Sequence, residues 1–133
     1  MKSLYCLMLL SITMLISCTD DYDVLESKTA LLVDFQWFNS ETIGGSPSGY
    51  AIVSPIIFKR DMTAYIGASQ TEWQFIENSN SIKLIDANTN SSAKYEIINL
   101  SETEFHFKHY DGSGNFLIEL VYDKCDRLSI NPC

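Results

Sequence analysis

From Leu31 onward the chain consists of short runs in which apolar and polar residues alternate, separated by clusters of Gly, Asn, Asp and Ser. A period of two puts alternate side chains on opposite faces of a β-strand. Leu31 to Phe38 places Leu31, Val33, Phe35 and Trp37 on one face, with Asp34 and Gln36 on the other. Asn39 to Gly49, with three glycines and a proline, is the longest loop signal. Tyr50 to Lys59 is a second run. Ser54-Pro55 interrupts it, and because proline lacks a ladder donor the run must bend, bulge or lie at an edge there.

Arg60-Asp61 then turns the chain into Met62 to Ile66, and Gly67 to Gln70 turns it again. Thr71 to Glu77 sets Trp73 and Phe75 on one face, and Asn78-Ser79-Asn80 is a tight turn. Ser81 to Asp86 sets Ile82 and Leu84 together, and a polar loop follows over Asn88 to Ser92. Ala93 to Leu100 pairs Tyr95 with Ile97, and Thr103 to Tyr110 pairs Phe105 with Phe107. Asp111-Gly112-Ser113-Gly114 is the clearest hairpin signal. Asn115 to Tyr122 closes the series with Phe116, Ile118, Leu120 and Tyr122 on one face. About eight strands, with no helix of useful length among them, predict an all-β, antiparallel up-and-down meander. Closure into a barrel removes exposed edges and is the expected form.

The first residues follow another pattern. Lys2 precedes an apolar run from Leu4 to Ile16, too short to span a membrane comfortably and shaped as a secretory signal. Leu15-Ile16-Ser17-Cys18 resembles the lipobox of bacterial lipoproteins: an aliphatic residue, a tolerant position, a small residue, then cysteine. The resemblance implies cleavage before Cys18, acylation of that cysteine by palmitate-like chains, and anchoring at the outer membrane, on its periplasmic or its surface face. The chain then divides into a signal peptide at 1–17, a lipidated acidic tether at 18–30, a barrel domain at 31–124 and a tail at 125–133. Val24 to Ala30 reads as a polar linker with room for one helical turn and too few apolar positions for a packed helix. The acids Asp20, Asp21 and Asp23 read equally as a solvated tether or, by resemblance to some Gram-negative lipoproteins, as a surface-export signal.

Charge and cysteines refine the partners. Lys2 is the only charged residue of the signal, so the mature part carries 8 basic and 17 acidic residues, a net −9. Such a chain repels nucleic acid and anionic headgroups. Cys125 and Cys133 remain in an oxidising compartment, where a disulfide between them is expected, against two unpaired thiols on a frayed tail. The bridge would contribute about 2.5 kcal/mol by chain entropy.

Ile56-Ile57-Phe58-Lys59-Arg60-Asp61, Glu72-Trp73-Gln74-Phe75 with Ile82-Lys83-Leu84, and Tyr95 to Phe105 are together similar to bacterial lipocalin-like lipoprotein domains. The likeness covers residues 31–122 and implies a small barrel. Three departures weaken what it implies about a ligand. Phe35 stands where the lipocalin signature has glycine before its first tryptophan, Asp61-Met62 replaces a common Asp-Gly, and the helix after the barrel is missing.

Trp37, Phe58, Trp73, Phe75, Tyr95, Phe105 and Phe107 are the candidate ligand-binding residues. Aromatic walls take apolar or sugar-like molecules, but in so short a barrel the same rings more readily fill the interior. His106 and His109, three apart on a strand, face opposite ways and cannot share a metal, so structural or surface roles are expected of them. No catalytic constellation, cofactor motif or metal-ligand spacing stands out. Asn90-Ser91-Ser92 and Asn99-Leu100-Ser101 match the glycosylation acceptor pattern, which a bacterial lipobox makes irrelevant. The expected function is a lipid-anchored envelope protein, not an enzyme, binding a small apolar or carbohydrate ligand. The alternative is a filled-core interaction lipoprotein that engages another envelope protein.

Overall fold

Eight strands follow one another around a closed barrel in the computed structural model, which describes residues 19–45 and 54–125. Helix α1 (Thr19–Leu32) comes first. The strands are β1 (Gln36–Gly45), β2 (Ile56–Phe58), β3 (Thr63–Ile66), β4 (Ser69–Ile76), β5 (Ser81–Ile85), β6 (Ser92–Leu100), β7 (Glu104–Tyr110) and β8 (Phe116–Cys125). Each pairs antiparallel with its neighbours in sequence, and β8 pairs back onto β1 to close the ring. The predicted eight-stranded meander and its closure are both present. The signal, Cys18, Cys6 and Cys133 lie outside the described residues, as do Ser46 to Val53.

Alternation sets the inside of the barrel. Trp73 pairs with Leu84, Ile82 with Tyr95, Phe105 with Tyr122 and Phe107 with Leu120, and all these side chains are buried. Directly opposed residues share a face, so one inward residue carries its cross-strand partner inward with it. Turn chemistry fixes the register. Asp111 Oδ1 accepts from the N–H groups of Ser113 and Asn115, both at 2.9 Å, and Gly114 sits at φ 85°. Asp61 Oδ1 accepts likewise from Thr63 N–H, and Met62 takes φ 66°. The Glu77 carboxylate accepts from buried Ser81 at 2.6 Å, holding the β4–β5 turn.

Four expectations are corrected. The acidic tether and polar linker form a continuous 14-residue helix. Its first turn carries Asp20 and Asp21, where the helix macrodipole favours negative charge. Leu31 and Leu32 complete that helix and do not open a strand; Asp34, at φ 64°, ends it, and β1 begins only at Gln36. Asn39 to Gly45 is no loop: it extends β1 along β8 across two bulges, which absorb the polar residues while Asn39 and Ser40 bond the Val121 carbonyl. Gly45, at φ 126°, lies where a Cβ would collide with the Leu117 carbonyl. Phe116 leaves the inward row because a register shift beside Tyr110 turns it out, and it is exposed, packing edge-on against Tyr110. β2 starts directly after Pro55, and the part of that run before Ser54 lies outside the described residues.

Helix α1 lies across one end of the barrel. Leu32 and Val33 are buried there, Val33 bridges Phe58, and Asp34 N–H donates to the Phe58 carbonyl at 2.8 Å. Lys28 Nζ reaches the Ser79 carbonyl at 2.7 Å, and Arg60 pairs with Glu26 at 2.9 Å. The second contact is exposed and contributes little. The opposite end, ringed by the 67–68, 86–91 and 111–115 turns, carries no helix among the described residues. No described helix is long and apolar enough to cross a membrane.

Candidate ligand-binding site

The seven aromatic candidates do come together, as one packed series of rings. Trp37 meets Phe105 edge-on at 5.8 Å, Phe105 meets Phe58 at 5.9 Å, and Phe58 meets Trp73 at 5.3 Å. Phe75 lies edge-on to Trp73 at 5.4 Å. Phe105 stacks on Phe107, and Phe107 on Tyr95. Such pairs favour offset and edge geometries because ring faces are negative and ring edges positive. Both indoles find carbonyl partners: Trp37 N–H donates to Leu32 and Trp73 N–H to Lys59. Six of the seven are buried and Phe75 is half-buried, so in the helix-capped half these rings fill the interior.

Tyr95 is the one member of the seven on the wall of a cavity at the other end. That cavity measures about 280 Å³ and is lined by Ile66, Ser69, Gln70, Thr71, Leu84, Asp86, Ser91, Ser92, Ala93, Tyr95 and His109. Ile66, Leu84 and Ala93 supply an apolar side. Tyr95 is 4 % exposed, yet its hydroxyl makes no hydrogen bond to a described residue. No fully sealed side-chain polar atom among the described residues lacks a partner, so this hydroxyl is not completely shut off from solvent. Burial pushes its pKa well above the ordinary tyrosine value, with the nearby Tyr122 adding to the effect, so it stays a neutral donor and acceptor.

His109 lies edge-on to Tyr95, ring centroids 4.9 Å apart. Burial lowers its pKa below the usual 6.5, partly opposed by Asp111, so the imidazole is neutral at pH 7. It too bonds no described residue. His106 faces outward and pairs with Glu119 at 2.8 Å, so the opposite orientation of the two histidines holds. The placement of His109 on a cavity was not foreseen. Its signal was the inward row Phe105, Phe107, His109, which the alternation carries one step further.

At the rim, Asp86 is held below the usual carboxylate range by the N–H groups of Asn88 and Thr89 and is ionised at neutral pH. The described lining contains no lysine or arginine. No group of three potential metal ligands occurs among the described residues.

A second hollow, about 340 Å³, lies between α1 and β4 and includes Tyr22, Leu25, Met62, Trp73 and Phe75. Cys125, at the end of β8, is disulfide-bonded; its predicted partner Cys133 lies outside the described residues. Comparison with known proteins finds no matching family model, no matching curated sequence and no matching solved structure.

Proposed function

We propose that this chain is an exported lipoprotein, acylated at Cys18 and held at the outer membrane, whose barrel binds a small molecule at the end opposite helix α1. The observation that carries the binding reading is the pair Tyr95 and His109. Two polar side chains in a largely apolar interior, both unbonded to described residues and both on one cavity, favour a bound group that completes them. The anchoring part rests on the lipobox-like Leu15 to Cys18. Binding without catalysis belongs to the same reading.

A thermal-shift screen of small neutral, anionic and cationic compounds tests it. A ligand at a hundredfold its Kd stabilises by about 2.7 kcal/mol. Ala93→Phe, which fills the cavity, is expected to abolish the shift. A compound that stabilises the wild type and Ala93→Phe equally binds elsewhere and removes the proposal.

The interaction reading has one observation in its favour: Tyr22, Leu25 and Met62 are exposed around the hollow beside α1. It requires that cross-links to an envelope protein disappear in Met62→Asp while no compound responds at the end opposite helix α1.

A further inference from the structure

Resting on the binding reading above, we infer that the cavity at the end opposite helix α1 selects an uncharged, ring-sized molecule bearing a hydroxyl group and turns away carboxylates and phosphates. Tyr95 and His109, both on its wall, meet edge-on with ring centroids 4.9 Å apart and bring a phenol and an imidazole to one part of the lining. A neutral imidazole offers one donor and one acceptor nitrogen, and a phenol offers both roles on one oxygen. A ligand hydroxyl, which also donates and accepts, complements either. The rest of such a ligand would lie against Ile66, Leu84 and Ala93.

Charge decides the class. An anion entering the cavity finds no cation on the described lining and passes ionised Asp86 at the rim. A buried charge without an opposite charge costs several kcal/mol, and the neutral donors of the lining repay a carboxylate's lost hydration only in part. A cation could approach Asp86, but one oxygen of that carboxylate already accepts two backbone N–H groups, and the deeper groups are neutral. Only a neutral head reaches Tyr95 and His109 without stranding a charge.

The test uses three para-substituted toluenes of similar size, p-cresol, 4-methylbenzoate and 4-methylbenzylamine, titrated into the protein and followed residue by residue in amide NMR spectra. The expected result is saturable shifts around Tyr95, His109 and Leu84 with p-cresol, and at least about tenfold weaker binding of both charged probes, as an unpaired buried charge demands. Tyr95→Phe keeps the ring and removes only the hydroxyl. It should weaken p-cresol about 2- to 10-fold, the net loss of one hydrogen bond. Benzoate or benzylamine binding at these residues as tightly as cresol overturns the selectivity and leaves the site standing. Unchanged cresol affinity in Tyr95→Phe overturns the role of the hydroxyl. Failure of all three probes to shift these residues overturns the site and the inference together.

Discussion

Tyr95 stacks on Phe107 with ring centroids 4.3 Å apart and planes inclined by 26°. That contact marks a boundary in the barrel. On the Phe107 side the interior is packed with rings, and on the Tyr95 side it opens into the cavity.

Phe107 is fully buried and touches Phe105, Tyr95 and Tyr122. Phe107→Ala should therefore cost about 3–5 kcal/mol, since it removes transfer energy and leaves a hole among rings that cannot collapse into it. Denaturant melts measure this directly. A change below about 0.5 kcal/mol, the range of neutral surface substitutions, would contradict its place in the core.

Leu32, at the end of α1, is fully buried against the barrel end. Leu32→Ala should cost about 2–5 kcal/mol. The same change in a solvated tether would cost almost nothing, so the melt separates a docked helix from a tether. Increased amide exchange across Thr19–Leu32 in the variant is the accompanying local sign.

The half-buried His109 and the buried Tyr122 make stability depend on pH at both ends. His109 has a folded pKa below its unfolded value of 6.5. As pH falls below 6.5 the unfolded chain takes a proton that the folded chain resists, so stability declines until the folded pKa is reached. His109→Gln should flatten that part of the profile, and an identical slope in the variant would rule out His109 as its source. Burial pushes Tyr122 up to about 12 from 10.0. Between those values the unfolded chain loses a proton that the folded chain keeps, so stability falls as pH rises through that window. Tyr122→Phe should remove this component, read from melts alongside tyrosinate absorbance.

Cys125 should resist alkylation in native protein and react after reductant, because it is already bonded. Immediate alkylation without reductant would contradict the bridge. Separately, Cys18→Ala should release the protein from the membrane fraction or leave its signal uncut, since stable anchoring needs two or more acyl chains at about 0.8 kcal/mol per buried CH₂. A variant still membrane-bound with its signal removed would sink the anchoring proposal.

Strand number, turn positions and the inward rows could be read from the sequence because each is a local property. A period of two identifies the faces of Thr71 to Glu77 and Thr103 to Tyr110 without knowledge of any partner, and Asp-Gly-Ser-Gly turns a chain by its own hydrogen bonds. The helix could not be read this way. Thr19–Leu32 has no apolar stripe, and it is held by Leu32 reaching a barrel end and by Lys28 meeting a turn some fifty residues on. The strand character of Asn39 to Gly45 likewise depends on β8, which supplies the ladder that its glycines and polar residues do not advertise. The division of one aromatic set into a filled half and an open half was decided only when eight strands closed. Closure brings Tyr95 and His109, from neighbouring strands, onto a wall shared with Ile66 and Leu84. A cavity is the space left between side chains distant in sequence, and no single strand's pattern carries it.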